Sequence, residues 1–313
     1  MVVLVVSTTI DPASTGPASA LLAMSGWQPG ITFEGIKSFS NGDVRLLQHE
    51  NSIIKEDHLE NRWENISGET VDELIFLSRH TAVSNRPALT LHPIGVPHLK
   101  DGDKPPQGGR PGWAAPPNPR IASWLKLLKK ISDSHGLIPE FEITLEATHH
   151  GPETNKPAMF VEIGSTEEHW GREDAARVIA QLLWEGLGLG GGTPIGNWSR
   201  RNTDKNKVLL GIGGGHYVPR HMDIILKDDV WVGHLLSGYS LPMEDPTGKD
   251  TKDVGGTWKQ AIKASYDATR TAFPGGNIMA HLDHKSFKGW QKNAITSYLS
   301  EEKIMIGKPN DFS

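Results

Sequence analysis

The chain has 313 residues, enough for one large α/β core or two smaller ones. Its 32 basic and 37 acidic side chains leave a net charge of −5, which argues against non-specific DNA binding and allows at most a local basic face. With a cysteine count of 0 there are no disulfides and no thiolate metal sites, so a transition metal would need His, Asp or Glu.

Residues 2–6 read as a buried first strand. The apolar run MVVLVV is too short to span a bilayer and lacks the basic flank of an export signal, so a soluble cytoplasmic protein is expected, with the nucleus also open to it. The turn Asp11-Pro12-Ala13-Ser14 leads into a short helix over 18–24, and 26–43, rich in Gly and Ser, read as loop. Two apolar runs follow, LIFLSRH (74–80) and PALTLH (87–92), each ending in histidine. Residues 93–119 are dense in Pro and Gly and too long for an ordinary connection, which predicts a lid or a meandering surface insertion.

Residues 121–134 have the period of an amphipathic helix closed by Gly136, and 141–148 and 159–163 read as strands. Ser165 to Glu168 form a capping-box pattern for a long helix ending near Leu187. The segment 198–207 is a basic loop in which Arg200, Arg201, Lys205 and Lys207 make a patch. A buried strand over 208–212 then runs into GIGGGHYVPRH, whose glycines release the backbone and whose Pro219 argues for an irregular segment carrying His216 and His221. A helix over 258–273, a strand in NIMAHLDH and a helix over 287–299 complete the chain.

Strands alternate with helices, which predicts a three-layer α/β/α architecture. The short links predict antiparallel pairing of 74–80 with 87–92 and of 141–148 with 159–163, hence a mixed sheet in a single domain over 1–313.

Apolar strands deliver a histidine to their tips repeatedly: His80, His92, the pair His149 and His150, His216, and His281 with His284. Each alone is well explained as a satisfied core or edge histidine. Together, at successive strand ends, they predict a site. Imidazole and carboxylate without thiol suit Zn²⁺ with an open position, and Glu146 and Glu162 could each be a ligand, a general base or part of a solvated strand face. There is no HExxH signature. His216 stands where a dinucleotide fingerprint needs its third glycine, GLGLGGGTP lacks the Lys-Ser/Thr of a phosphate loop, and no G-x-S-x-G elbow occurs. Arg220, Lys285, Lys288 and Lys292 are either a solvated face or a phosphate-contacting rim.

SRHTAVSNRPALTLHPIGV, TLEATHHGP, VEIGSTEEHW, GIGGGHYVPRH, VGHLLSGYSLP and HLDHKSFKGWQK together resemble the D-aminoacyl-tRNA deacylases of the archaeal and plant type, which include the GEKO proteins of ethanol tolerance. The likeness runs from the first strand to the last helix, and the long inserts point to the plant branch. It departs at Val96, where archaeal members carry asparagine, which puts no polar role at 96.

The resemblance implies a fold similar to peptidyl-tRNA hydrolase and the nucleoside phosphorylases. It also implies a zinc-dependent ester hydrolase that frees D-amino acids from the 3′ end of tRNA, and in plants clears N-alkylated D-aminoacyl-tRNA. On that basis Zn²⁺ is expected among His80, His149, His150, His216 and Glu162, and catalysis among His80, Glu146, His149, His150, His216 and His221. Backbone amides of Gly213, Gly214 and Gly215 would face the oxyanion, and Arg79, Arg220, Lys285 and Lys288 the substrate. The partner is tRNA, with no membrane or DNA role and a monomer expected. The alternatives are a zinc hydrolase of small amides or peptides and a non-catalytic tRNA-binding sensor.

Overall fold

The computed structural model describes residues 1–199, 206–227, 229–246 and 254–313. The chain divides into two units. The first comprises 1–92, 120–145 and 154–197, and the second 93–119, 146–153 and 198–313.

The first unit is built on an eight-stranded sheet with the order β2-β3-β4-β1-β5-β8-β6-β7. Its strands are β1 (Val2–Thr8), β2 (Gln28–Phe33), β3 (Ile36–Asn41), β4 (Val44–His49), β5 (Val71–Arg79), β6 (Ala88–His92), β7 (Glu142–Leu145) and β8 (Ala158–Gly164). The sheet is mixed, as expected, but neither predicted antiparallel pair forms. Strand β8 lies between β5 and β6, parallel to the first and antiparallel to the second, and β7 pairs parallel with β6. Every residue of β8 is buried, so both faces of the sheet are covered there and no polar alternation survives in its sequence.

Helices α1 (Pro12–Leu22) and α3 (Ile121–Ser134) each pack on α5 (Glu173–Gly186), while α2 (Leu59–Ser67) packs on β5 and β2. Asp11 caps α1 by accepting the Ala13 N–H at 3.0 Å, with Pro12 in the first helical position where its missing donor costs nothing. The helix expected from Ser165 to Leu187 is interrupted: α4 (Glu167–Trp170) ends at Gly171 before α5 begins.

The second unit holds a parallel four-stranded sheet, β10-β9-β11-β12, formed by β9 (Lys207–Ile212), β10 (Trp231–Leu236), β11 (Asn277–Leu282) and β12 (Met305–Ile306). Its helices are α6 (Pro219–Lys227), α7 (Trp258–Ala272) and α8 (Gly289–Glu301), with the buried Trp258, Phe273, Ile295 and Leu299 in the core. Pro219 opens a helix instead of breaking one, so His221 is helical. The Pro/Gly-rich segment 93–119 belongs to this unit and is tied down: Val96 N–H donates to Trp113 O at 2.9 Å, and Gln260 Nε2 donates to the carbonyls of Pro97 and Leu99 at 3.0 and 2.9 Å. Arg200, Arg201 and Lys205 of the expected basic patch lie outside the described residues. No described helix is long and apolar enough to cross a membrane.

Candidate active site

In the first unit the pleat builds a cluster. Glu162 on β8 pairs in register with Ser78 of β5 and Thr90 of β6. Two residues further on each neighbour, on the same face, stand His80 and His92. His80 Nδ1 lies 3.8 Å from Glu162 Oε2, and His92 Nε2 lies 3.8 Å from Oε1, with all three side chains buried. His92 stacks on Phe160 at 5.1 Å, and the His80 carbonyl accepts the Trp170 indole N–H at 2.9 Å.

Gly164 makes room for His80, since a Cβ there would meet His80 Cδ2 at 2.7 Å. Gly164→Ala is therefore expected to displace the imidazole and cost about 1–3 kcal/mol by overpacking, read as a lower midpoint in thermal melts. An unchanged melting temperature with full activity would contradict this. Arg79, expected at the substrate, lies over the Trp170 ring at 4.8 Å.

In the second unit Glu146, His149, His150 and His216 come together. The segment 146–153 is fixed by backbone bonds: Ala147 N–H donates to His216 O at 2.8 Å, Thr148 N–H to Leu235 O at 2.7 Å, and Gly95 N–H to His150 O at 2.9 Å. The carboxylate of Glu146 is buried, and its Oε2 accepts His216 Nε2–H at 2.6 Å and lies 3.7 Å from His149 Nε2. On the other side of the imidazole, Tyr239 O–H donates to His216 Nδ1 at 2.8 Å. A carboxylate, an imidazole and a phenol thus form one chain, with Tyr239 60% exposed at its outer end. Burial pushes the Tyr239 phenol up, so it carries its proton at neutral pH.

Tyr239 escaped the sequence reading. Its only signal was its place in VGHLLSGYSLP, a stretch without a reactive pattern of its own.

The donor types in this cluster are ones that a cation such as zinc accepts. His149 Nδ1–H donates to Ala147 O at 2.8 Å and His150 Nδ1–H to Gly151 O at 2.6 Å, which leaves Nε2 of each ring as the lone-pair nitrogen. Two imidazole nitrogens with a carboxylate are an N/O donor set that zinc accepts. His216 has both ring nitrogens hydrogen-bonded and would have to give one up to bind a metal. His80, His92 and Glu162 offer the same donor types within the first unit.

Two expectations change, the oxyanion role of the glycines and the catalytic role of His221. Gly213 N–H donates to Leu236 O at 2.7 Å and Gly214 N–H to Ser286 Oγ at 2.6 Å, so neither amide faces an oxyanion. Gly213 is required for packing: its φ is +97°, and a Cβ would meet Phe287 Cε2 at 2.7 Å. His221 is fully buried, with Nε2 on Gly213 O at 3.1 Å and Nδ1 on His281 Nδ1 at 2.9 Å, so it cannot touch a substrate. Arg220 is held by Asp283, Nε to Oδ1 at 3.0 Å. Lys285 and Lys288 are exposed, as a phosphate-contacting role requires.

A family model of the D-aminoacyl-tRNA deacylases matches residues 67–307. The chain belongs to the D-aminoacyl-tRNA deacylase family. It is 68% identical over 318 aligned residues to the D-aminoacyl-tRNA deacylase of Arabidopsis thaliana, covering 100% of both chains. It is 34% identical to that of Pyrococcus horikoshii, over 76% of this chain and 81% of the relative. Among solved structures it is similar to a conserved protein of unknown function, at 25% identity and a TM-score of 0.75, covering 99% of this chain and 96% of the other. Family membership agrees with the likeness carried by the six sequence segments.

Proposed function

We propose that the chain hydrolyses the ester bond of D-aminoacyl-tRNA to free D-amino acid and tRNA, and so removes D residues before they reach peptide synthesis. Full-length similarity to the Arabidopsis thaliana deacylase is the observation that carries this reading. The Glu146–His216–Tyr239 chain gives it chemical means.

Ester hydrolysis needs a proton taken from the attacking hydroxyl, either water or the neighbouring ribose 2′-OH, and one delivered to the departing 3′-oxygen. Tyr239 O accepts the first while its own proton passes to His216 Nδ1. The imidazolium so formed is stabilised by the Glu146 carboxylate at Nε2. Reversal of the same path returns the proton to the 3′-oxygen. Zinc held by His149 and His150 with Glu146 would supply Lewis acidity for the ester carbonyl and for activating the attacking hydroxyl.

Tyr239→Phe removes only the hydroxyl of an exposed ring. It is expected to lower kcat about 10- to 100-fold with little change in KM or melting temperature. A kcat within twofold of wild type would remove Tyr239 from the proton path. Turnover of D-tyrosyl-tRNA but not of D-tyrosine amide separates this reading from a hydrolase of small amides, and tRNA binding without turnover would leave a sensor. The same activity is expected on N-alkylated D-aminoacyl-tRNA, the substrate that aldehyde exposure generates.

A further inference from the structure

A cavity of about 520 Å³ in the second unit is lined by Arg220, Asp223, Lys227, His281, His284 and Lys285, among others. Its volume is in the range of small-molecule sites. Neither Lys227 nor Lys285 has a carboxylate partner among the described residues, and Arg220 gives Asp283 its Nε, leaving its terminal nitrogens.

The wall residue His281 is 7% exposed, and its hydrogen-bonding state follows from its neighbours. A carbonyl can only accept, so the His221 nitrogen on Gly213 O is Nε2–H, and in the neutral ring its Nδ1 is a lone pair. The 2.9 Å contact between the two Nδ1 atoms then requires His281 to donate from Nδ1. The nitrogen left to His281 is Nε2, an acceptor with no partner among the described residues. Burial pushes both imidazoles down, His221 to about 4, which keeps the pair neutral at physiological pH.

A cavity with Lys227, Lys285 and Arg220 at its rim, and with His281 Nε2 as an acceptor in its wall beside the carboxylates of Asp223 and Asp283, fits a ligand that is an anion at one end and an N–H or O–H donor at the other. Inorganic phosphate keeps a P–OH at neutral pH and can offer a donor, but it fills only a small part of a cavity of about 520 Å³, which a nucleotide would span. We infer that this cavity binds one nucleotide, its phosphate against Lys227, Lys285 and Arg220, and a base or ribose donor on His281 Nε2. The inference rests on the reading of the chain as a tRNA hydrolase for its choice of nucleotide over other anionic donors.

The ligand can be a nucleotide of the tRNA strand or a free one. The full chain and its His281→Leu, His281→Gln and Lys227→Gln variants would be titrated with the four nucleoside 5′-monophosphates and with inorganic phosphate, followed by calorimetry. At least one nucleotide is expected to bind wild type about tenfold more tightly than phosphate does. His281→Leu and Lys227→Gln each lose about tenfold, and His281→Gln, which restores an acceptor, recovers most of it. Lys227→Gln is an exposed substitution and reports even where His281→Leu does not fold.

Competition of the bound nucleotide with D-tyrosyl-tRNA, with a raised KM in the variants, assigns the site to the tRNA strand. Unchanged KM with the same loss of nucleotide binding assigns it to a free nucleotide. Binding no tighter than phosphate, or equal binding by His281→Leu and Lys227→Gln, overturns the inference. Nucleotide binding through His281 in a protein that leaves D-tyrosyl-tRNA intact would instead remove the deacylase reading and keep the cavity.

Discussion

Replacing Glu146 by glutamine is expected to lower kcat/KM for D-tyrosyl-tRNA about 10³-fold or more, without unfolding the protein. The exchange is nearly isosteric, and the buried side chain can still present an oxygen to His216 Nε2 at the observed 2.6 Å. What disappears is the charge. Without it the imidazolium formed when His216 accepts a proton loses its counter-ion, and the ring no longer has one preferred tautomer. Removing the carboxylate that orients a catalytic imidazole in serine hydrolases costs about 10⁴ in kcat, which sets the scale.

His216→Ala removes the acceptor itself and is expected to cost about 10² to 10⁴. The double variant should be little worse than the more damaged single one, because the two residues act as a unit. Multiplying effects would mean that Glu146 and His216 work independently, and steady-state kinetics on the three proteins decides the matter.

Acid is the second large lever, through histidines the fold keeps neutral. His234 is fully buried, with Nε2–H donating to Ala115 O at 2.8 Å and Nδ1 accepting from Thr148 O–H at 2.9 Å, and burial holds its pKa down to about 4. His221 is likewise held at about 4, by burial first and by the neighbouring His281 second. In the unfolded chain both titrate near 6.5.

Between those values the unfolded state binds more protons than the folded one. The stability from each residue is therefore fully present above about pH 6.5 and is lost progressively as pH falls toward 4. The loss is roughly 3 kcal/mol per residue, of the order of half a typical domain's stability for the pair. Burial shifts His49 and His98 the same way. Glu69 and Asp174, held below the usual carboxylate range by hydrogen bonds from Arg45 and Arg172, add their own loss only in stronger acid. Urea melts from pH 7.5 to 4.5 should show a steep decline beginning near 6.5, and His234→Gln should flatten it. A stability independent of pH from 7 to 5 would contradict the assignment.

The fold was legible where local pattern and final environment agree. Helix α3 lies at its expected residues, 121–134, because one apolar face at helical spacing meets one core. The hairpin of β2 and β3 was not legible. Its strand QPGITF is exposed except at Phe33, so it carries no buried alternation, and the turn uses Glu34 and Gly35, both at positive φ, instead of Asn-Gly. The pairing of β5 with β6 failed for a different reason: β8, remote in sequence, inserts between them, which short links cannot announce.

The same distinction runs through the site. His80, Glu162 and His92 share a face by strand period, and that is arithmetic on the sequence once the register is known. The contact of His221 on α6 with His281 on β11, 60 residues apart, and the bond of Tyr239 to His216 depend on tertiary packing of elements remote in sequence. No motif spacing encodes either of them.

Deacylation of D-tyrosyl-tRNA against L-tyrosyl-tRNA by the full chain, with and without a chelator and with the metal content measured, bears on the central claim most directly. Hydrolysis of the D form about 10² times faster or more, lost on chelation and restored by zinc, is the result expected. Equal rates on the two forms, or no turnover of either by metal-loaded protein, would contradict it.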